Sequence, residues 1–238
     1  MSSEAIPVRF AETDPHGFLD SVGEEVARAW LDADELARAA RFHRDPDRDL
    51  FVAAHAFWRR CLAEEFGCDP ADLVFQIGQH GKPFVVNPPI RDFDTNLSHT
   101  RGRIAVAIAW GGRVGIDVEA VDRKTDPAEI APRVFAPEEI EWMLSTGESD
   151  EQRDRFFRLW TLKESYAKAL GIGFGIDFAA HRFLPPEEGG WRLVRAPQES
   201  ALRQGWSYRE EALPSGHRLA ICAEHGARTS PDPPPVDR

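Results

Sequence analysis

The stretch Arg103 to Trp110 (RIAVAIAW) restricts the fold more than any other part of the chain. It is an almost unbroken apolar run of strand length, the clearest β signal in the sequence. Its apolar part, Ile104 to Trp110, is far too short to cross a bilayer. A second strand-like run, Val114 to Val121 (VGIDVEAV), follows across Gly111–Gly112, and two such runs joined by a glycine pair predict a β-hairpin.

Val22 to about Phe66 reads as helix, with a capping pattern at Asp32-Ala-Asp-Glu and an amphipathic run from Leu50 to Glu65. Leu73 to Gln79 alternates like a strand, Gly81-Lys82-Pro83 breaks it with a turn, and Asn87-Pro-Pro is irregular. Asp126 to Leu144 is helical with a fresh start at Pro137, and Glu151 to Leu170 predicts a long helix stopped by Gly171 and Gly173. Short strands are expected over Phe178–Leu184, Trp191–Arg195, Trp206–Glu210 and Arg218–Ala223. The proline-rich tail SPDPPPVDR is expected to be disordered. The layout divides into two similar halves, each with helices followed by strands, meeting near residue 115.

A formal charge of -11 and a pI near 5.2 argue against general nucleic-acid binding. The cysteines Cys61, Cys68 and Cys222 are scattered, with no metal-ligand spacing, and read as reduced thiols of a cytoplasmic protein. The N-terminus lacks the basic and apolar pattern of a secretory signal. Within this acidic chain Arg38, Arg41, Arg44, Arg48, Arg59 and Arg60 crowd one stretch. Such a cluster suits a phosphate-rich ligand; the alternative is a solvated helix face balanced by Asp45, Asp47 and Asp49.

Asp117 and Glu119 stand two apart on the second strand, so both carboxylates point to one face while Ile116 and Val118 point to the other. Parallel carboxylates with no nearby histidine or cysteine suit magnesium; the alternative is a wet acidic strand face. On the helix FFRLWTLKESYAKAL, Leu159, Leu162, Tyr166 and Leu170 form an apolar stripe. Glu164 and Lys168 lie adjacent on nearly the opposite side, above Phe157 and Trp160, the profile of a site wall with an aromatic floor. Glu164 would complete a metal site with Asp117 and Glu119, and Lys168 would hold a phosphate. Ser98, His99 and Thr100 are candidate phosphate donors, joined by Lys82 of the Gly-Lys-Pro turn.

Four segments in this order, GKP at 81–83, NLSHT at 96–100, VGIDVE at 114–119 and WTLKESYAK at 160–168, span about a third of the chain. They resemble the phosphopantetheinyl transferase superfamily, in particular its longer single-chain, Sfp-like type. The resemblance implies an α+β fold, a pseudo-twofold pair of similar α/β halves with helices packed on small, mainly antiparallel sheets. It implies an N-terminal half over 1–113 on the coenzyme A nucleotide side and a C-terminal half over 114–226 with the metal site, before a tail over 227–238.

By the same resemblance Asp117, Glu119 and Glu164 are magnesium ligands, and Glu164, Lys168 and Asp117 the catalytic set. Arg41, Arg48, Lys82, Pro83, Ser98, His99 and Lys168 are the coenzyme A contacts, with Arg38 a further candidate. Thr100 replaces the family's usual serine and keeps the hydroxyl, whereas the first 20 residues match nothing in the pattern. Lys163, nearer the apolar stripe, is expected to have a lesser electrostatic role. The implied activity moves the 4'-phosphopantetheine arm of coenzyme A onto a serine of an acyl or peptidyl carrier protein, in a cytoplasmic monomer. Residues from about Gly171 to Phe183 would help form the carrier surface. The short holo-acyl-carrier-protein synthase type is disfavoured by the length and two-half layout. A non-catalytic carrier-binding module is disfavoured by the intact Asp117, Glu119, Glu164 and Lys168.

Overall fold

The computed structural model describes residues 7–78, 80–172, 175–185, 190–197 and 205–225; Gln79, Gly173 and the proline-rich tail lie outside them. The chain builds one pattern twice. First come strand β1 (Val8–Thr13), short helices α1 (Pro15–Val22), α2 (Glu24–Trp30) and α3 (Ala33–Ala39), and the long helix α4 (Asp45–Phe66). The hairpin β2 (Val74–Ile77) and β3 (Pro83–Asn87) follows, then strands β4 (Phe93–Thr100) and β5 (Arg103–Trp110). The second round runs through β6 (Val114–Ala120), α5 (Pro127–Val134), α6 (Pro137–Leu144) and α7 (Ser149–Leu170). It ends with the hairpin β7 (Arg182–Leu184) and β8 (Arg192–Arg195), then β9 (Gly205–Leu213) and β10 (His217–His225). The long helices are both 22 residues, and the sheets have matching orders, β1-β5-β4 and β6-β10-β9, antiparallel throughout. This is the α+β, pseudo-twofold architecture expected from the sequence.

Each round opens with a strand rather than a helix, and β1 and most of α1 lie within the first 20 residues, which carried no pattern. The predicted hairpin at Gly111–Gly112 does not form. Both edges of β5 are already occupied, by β1 and β4, and β6 pairs instead with β10. The glycine pair therefore carries the chain from one sheet to the other. The composition of β5 explains its position. Ile104, Val106 and Ile108 enter the core under the N-terminal helices, while Ala105, Ala107 and Ala109 enter a second core shared with Val114, Ile116 and Val118 of β6. Large side chains on one face and alanines on the other bring the two sheets close together.

Two buried cations stiffen the repeated frame in the same way. Arg59 of α4, fully buried, donates to Glu35 of α3 at 2.8 Å and to the carbonyls of Pro70 (3.1 Å) and Leu73 (2.8 Å). Lys163 of α7, 2% exposed, pairs with Glu139 of α6 at 2.6 Å and donates to the carbonyls of Phe178 (2.8 Å), His181 (2.9 Å) and Val134 (3.2 Å). Both glutamates also accept the backbone N–H three residues upstream, Glu35 from Asp32 at 3.1 Å and Glu139 from Ala136 at 2.7 Å. Burial alone would strip the charge from Lys163 and pulls its pKa down; the Glu139 carboxylate opposes that.

No helix of the described residues is long and apolar enough to cross a membrane. Helix α7 lies against β6 and β10 with its closest approach at Gly115, where a Cβ would stand 2.0 Å from the Ser165 carbonyl oxygen and 2.5 Å from the Ala169 nitrogen. Both obstacles are backbone, so no rotamer change relieves them. Gly115→Ala is expected to lower unfolding stability by about 3 kcal/mol or more, read by urea denaturation; an unchanged midpoint would show that the helix can move away without loss.

Candidate active site

Strands β4 and β6 run beside each other at the junction of the halves, joined through side chains instead of a backbone ladder. The Asp94 carboxylate accepts the Val114 N–H at 2.8 Å, the Asn96 side-chain oxygen accepts the Ile116 N–H at 2.9 Å, and the Ser98 hydroxyl accepts the Val118 N–H at 3.3 Å. Thr100, next in the alternation, donates to Glu119 Oε2 at 3.2 Å. Every second residue of β4 thus serves β6, and this fixes the register of the carboxylate strand. The alternation Asp-x-Asn-x-Ser-x-Thr is legible in the sequence, and it extends the NLSHT segment back to Asp94.

Asp117 and Glu119 point toward α7, opposite Ile116 and Val118, as the strand period requires. Asp117 is buried; its Oδ1 accepts from Lys168 Nζ at 2.6 Å and from Ser98 Oγ at 2.9 Å. Its Oδ2 is buried with no hydrogen-bond partner. Lys168 Nζ also donates to Ser98 Oγ at 2.9 Å, so the one hydroxyl accepts from Lys168 and Val118 while giving its own proton to Asp117. Glu119 Oε1 accepts from Arg123 Nη1 at 2.5 Å. Glu164, half-buried on α7, has no hydrogen bond or ion pair to the described residues.

The carboxylates influence one another. Burial and then the Asp117 charge push Glu119 above the usual carboxylate range. Burial, then Asp117, and after it Glu119, push Glu164 up to about 7 against the opposing pull of Lys168. Three carboxylates sharing a half-buried space resist full ionisation unless cations enter it. Lys168 and Arg123 supply positive charge there, Lys168 to Asp117 and Arg123 to Glu119. Among the described residues no three acidic, histidine or cysteine side chains are clustered tightly enough to ligate a metal ion as they stand. The donor set nevertheless fits a hard divalent cation: it is oxygen only, and the orphaned Asp117 Oδ2 is a buried acceptor without a donor.

The other residues singled out by sequence are more dispersed. His99 stands beside Ser98 on the exposed side of β4; its pKa is lowered to about 4, by desolvation first and then by His55 and Lys168, with Asp117 opposing. Lys82 packs beside Gly171, the C-cap of α7, and is clasped by Asp94 at 2.5 Å and the Val114 carbonyl at 2.9 Å; Pro83 opens β3 opposite Ile77. Asp94 and Ser98 are four residues apart on one strand, so Lys82 lies roughly 13 Å along β4 from the Asp117–Lys168 pair.

The arginine cluster divides. Arg41 is exposed between α3 and α4, Arg48 pairs with Asp45 at 2.9 Å, and Arg38 lies over Phe51 at 5.2 Å. Arg59 is a core strut, and Arg60 lies over Phe18 and pairs with Glu64. Lys163 faces away from the carboxylates into its own core, which corrects the expected electrostatic role, because its four polar partners leave it no reach toward them. The aromatic floor is also absorbed: Phe157 is 1% exposed within the C-terminal core, and Trp160 stacks at 6.1 Å on Phe156.

Comparison with known proteins places the chain in a family. The family model of the 4'-phosphopantetheinyl transferase superfamily matches residues 113–222. The 4'-phosphopantetheinyl transferase HetI of a Nostoc species is 36% identical over 200 residues, 83% of this chain and 80% of that protein. A putative 4'-phosphopantetheinyl transferase of a Synechocystis species is 30% identical over 181 residues, 71% of this chain and 73% of that one. The 4'-phosphopantetheinyl transferase Sfp of Bacillus subtilis is 26% identical over 199 residues, covering 83% and 84%. Among solved structures, a holo-(acyl-carrier-protein) synthase from Bacillus anthracis in complex with coenzyme A matches 48% of this chain and 96% of its own, at TM-score 0.41 and 16% identity. The chain belongs to the 4'-phosphopantetheinyl transferase superfamily.

The raised Glu164 pKa fixes the sign of a pH effect. Between the ordinary value of 4.5 and about 7 the folded protein holds a proton on Glu164 that the unfolded chain has released. Stability from this residue is therefore complete at low pH and is lost as pH rises through about 7. Urea midpoints of the ligand-free protein at about pH 5 and about pH 7.5 should fall by less in Glu164→Gln than in the parent; equal falls would place the titration elsewhere.

Proposed function

We propose that the protein transfers the 4'-phosphopantetheine arm of coenzyme A to a serine of an acyl or peptidyl carrier protein in a magnesium-dependent reaction. The observation that carries this reading is the pair Asp117 and Glu119 on β6 set against Glu164 and Lys168 on α7, in a member of this superfamily. Asp117, Glu119 and Glu164 would hold the magnesium ion, which when bound would supply positive charge against the coenzyme A diphosphate. Lys168 is an ammonium already beside Asp117, able to turn to a phosphate oxygen as a point charge. The N-terminal half, 1–113, takes the nucleotide end, with Arg41, Arg48, Lys82, Pro83, Ser98 and His99 as its contacts. Ser98 must exchange a present partner to do so, since its hydroxyl already bonds Asp117, Lys168 and Val118, whereas two of the three Lys82 ammonium protons are engaged, by Asp94 and the Val114 carbonyl.

The carrier serine attacks the phosphorus bearing pantetheine, the bond to 3',5'-adenosine diphosphate breaks, and the serine proton passes to Glu164. Residues 175–183 and the end of α7 contribute the carrier surface, together with residues 173 and 174 outside the described set. Both halves of the cleft belong to one chain, which supports a monomer. The three free cysteines suit the cytoplasm.

Incubating an apo carrier protein with coenzyme A, magnesium and this protein should add one phosphopantetheine to the carrier, read by mass spectrometry. Glu164→Gln should slow the addition by about 10²-fold or more. No mass gain on any of several acyl and peptidyl carriers would overturn the reading.

A further inference from the structure

Glu119 differs from the other two carboxylates in having both oxygens taken, Oε1 by Arg123 at 2.5 Å and Oε2 by Thr100 at 3.2 Å. Asp117 keeps Oδ2 free of any hydrogen bond, and Glu164 has no hydrogen bond or ion pair to the described residues. A cation entering here meets two available acceptors and one closed by a guanidinium. We propose that Arg123 is a displaceable counter-ion: it holds Glu119 in the ligand-free protein and moves to the coenzyme A diphosphate, freeing Glu119 for the divalent cation. Metal binding is then conditional on bound coenzyme A. The inference rests on the function proposed above and concerns how that site assembles.

Four observations carry it. The Arg123 side chain is 52% exposed while its partner Glu119 is 13% exposed, so the pair sits at the mouth of the site, where water can replace the contact. The Arg123 backbone, by contrast, is fixed. Arg153 donates to the carbonyls of Val121 at 2.5 Å and Thr125 at 2.9 Å and also to that of Arg123, and its guanidinium lies over Phe157 at 5.3 Å. The side chain therefore swings from a rigid mount. Third, Lys168 is the less mobile cation, bonded to both Ser98 and buried Asp117.

The fourth is charge balance. Asp117 is met by Lys168 and Glu119 by Arg123, whereas Glu164 has no cation bonded to it among the described residues. A diphosphate arriving without metal meets acidic side chains that repel it and one exposed guanidinium that attracts it, whose planar fork fits phosphate oxygens. Once Arg123 has turned to the diphosphate, the carboxylates lose a counter-charge and their demand for a dication rises.

Manganese(II) serves as the metal probe, with free ion followed by electron paramagnetic resonance and coenzyme A binding by calorimetry. Without coenzyme A, Arg123→Gln should bind manganese roughly five-fold more tightly than the parent. In the absence of metal the same variant should bind coenzyme A more weakly by a similar factor, and Arg123→Lys should restore much of the parent's behaviour in both assays. Equal manganese affinities for the parent and Arg123→Gln without coenzyme A would overturn the inference. If the parent binds neither manganese nor coenzyme A under any condition, the proposed function itself falls and this inference with it. Near-ultraviolet circular dichroism checks that the variants keep the parent fold.

Discussion

Helix α7 can carry a site only because Gly115 lets it rest on β6. With Ser165 and Ala169 backbone atoms inside the volume a side chain would fill, helix and strand approach more closely than ordinary packing permits. Asp117 is two residues farther along the same face, and Lys168 is the residue before Ala169, so the contact point lies within one turn of the Asp117–Lys168 pair. Their 2.6 Å contact follows from backbone proximity rather than from long flexible side chains reaching across a gap. Rigid placement of this kind is what a charge-based site needs, because Coulomb interactions in a half-buried space change steeply with separation.

The second constraint is the unusual seam between the halves. A strand edge left without a ladder exposes a row of N–H donors. Here the donors of Val114, Ile116 and Val118 are met by Asp94, Asn96 and Ser98, and Lys82 reinforces the seam from Asp94 to the Val114 carbonyl. A seam made of polar side chains keeps oxygen and nitrogen groups within the junction and close to the carboxylates, where a continuous sheet would have left only backbone. The same Ser98 hydroxyl that accepts from Val118 also bonds Asp117 and Lys168. Fold and candidate chemistry thus share atoms.

Periodicity made much of this legible. The break before α6, the left-handed Gly171 that ends α7 and the common face of Asp117 and Glu119 were all readable from residue type and spacing. What escaped was set by distant partners. The sequence Trp110-Gly-Gly-Arg113 looks like a hairpin turn, but β1 had already taken the edge of β5, and nothing local to residues 103–121 announces that. Lys163 and Glu164 are neighbours with like polarity, yet one is sealed in the core by Glu139 and three carbonyls while the other faces the cleft. Helical phase suggested this division; the reach of a lysine chain blurred it. Within the arginine run, Arg59 likewise finds its acid 24 residues earlier, on another helix.

The two struts supply a register for comparing the halves. Arg59 and Lys163 occupy the same position, each on a 22-residue helix and each joined to a glutamate that caps a shorter helix. One residue beyond the strut stands Arg60 in the first half and Glu164 in the second; five beyond stand Glu64 and Lys168. The charges are reversed at both positions. In the first half Arg60 and Glu64 pair at 3.4 Å on the helix surface, with Arg60 lying over Phe18 and Phe57. In the second the same two positions face β6 and its buried aspartate. Stability therefore demands the strut in both halves, since breaking either would strand a buried charge, whereas the two positions beyond it are free to differ. The repeated frame thus leaves the two halves alike in their struts and unlike at the positions beside them, with acidic side chains gathered at β6 and α7 and not at their counterparts in the first half.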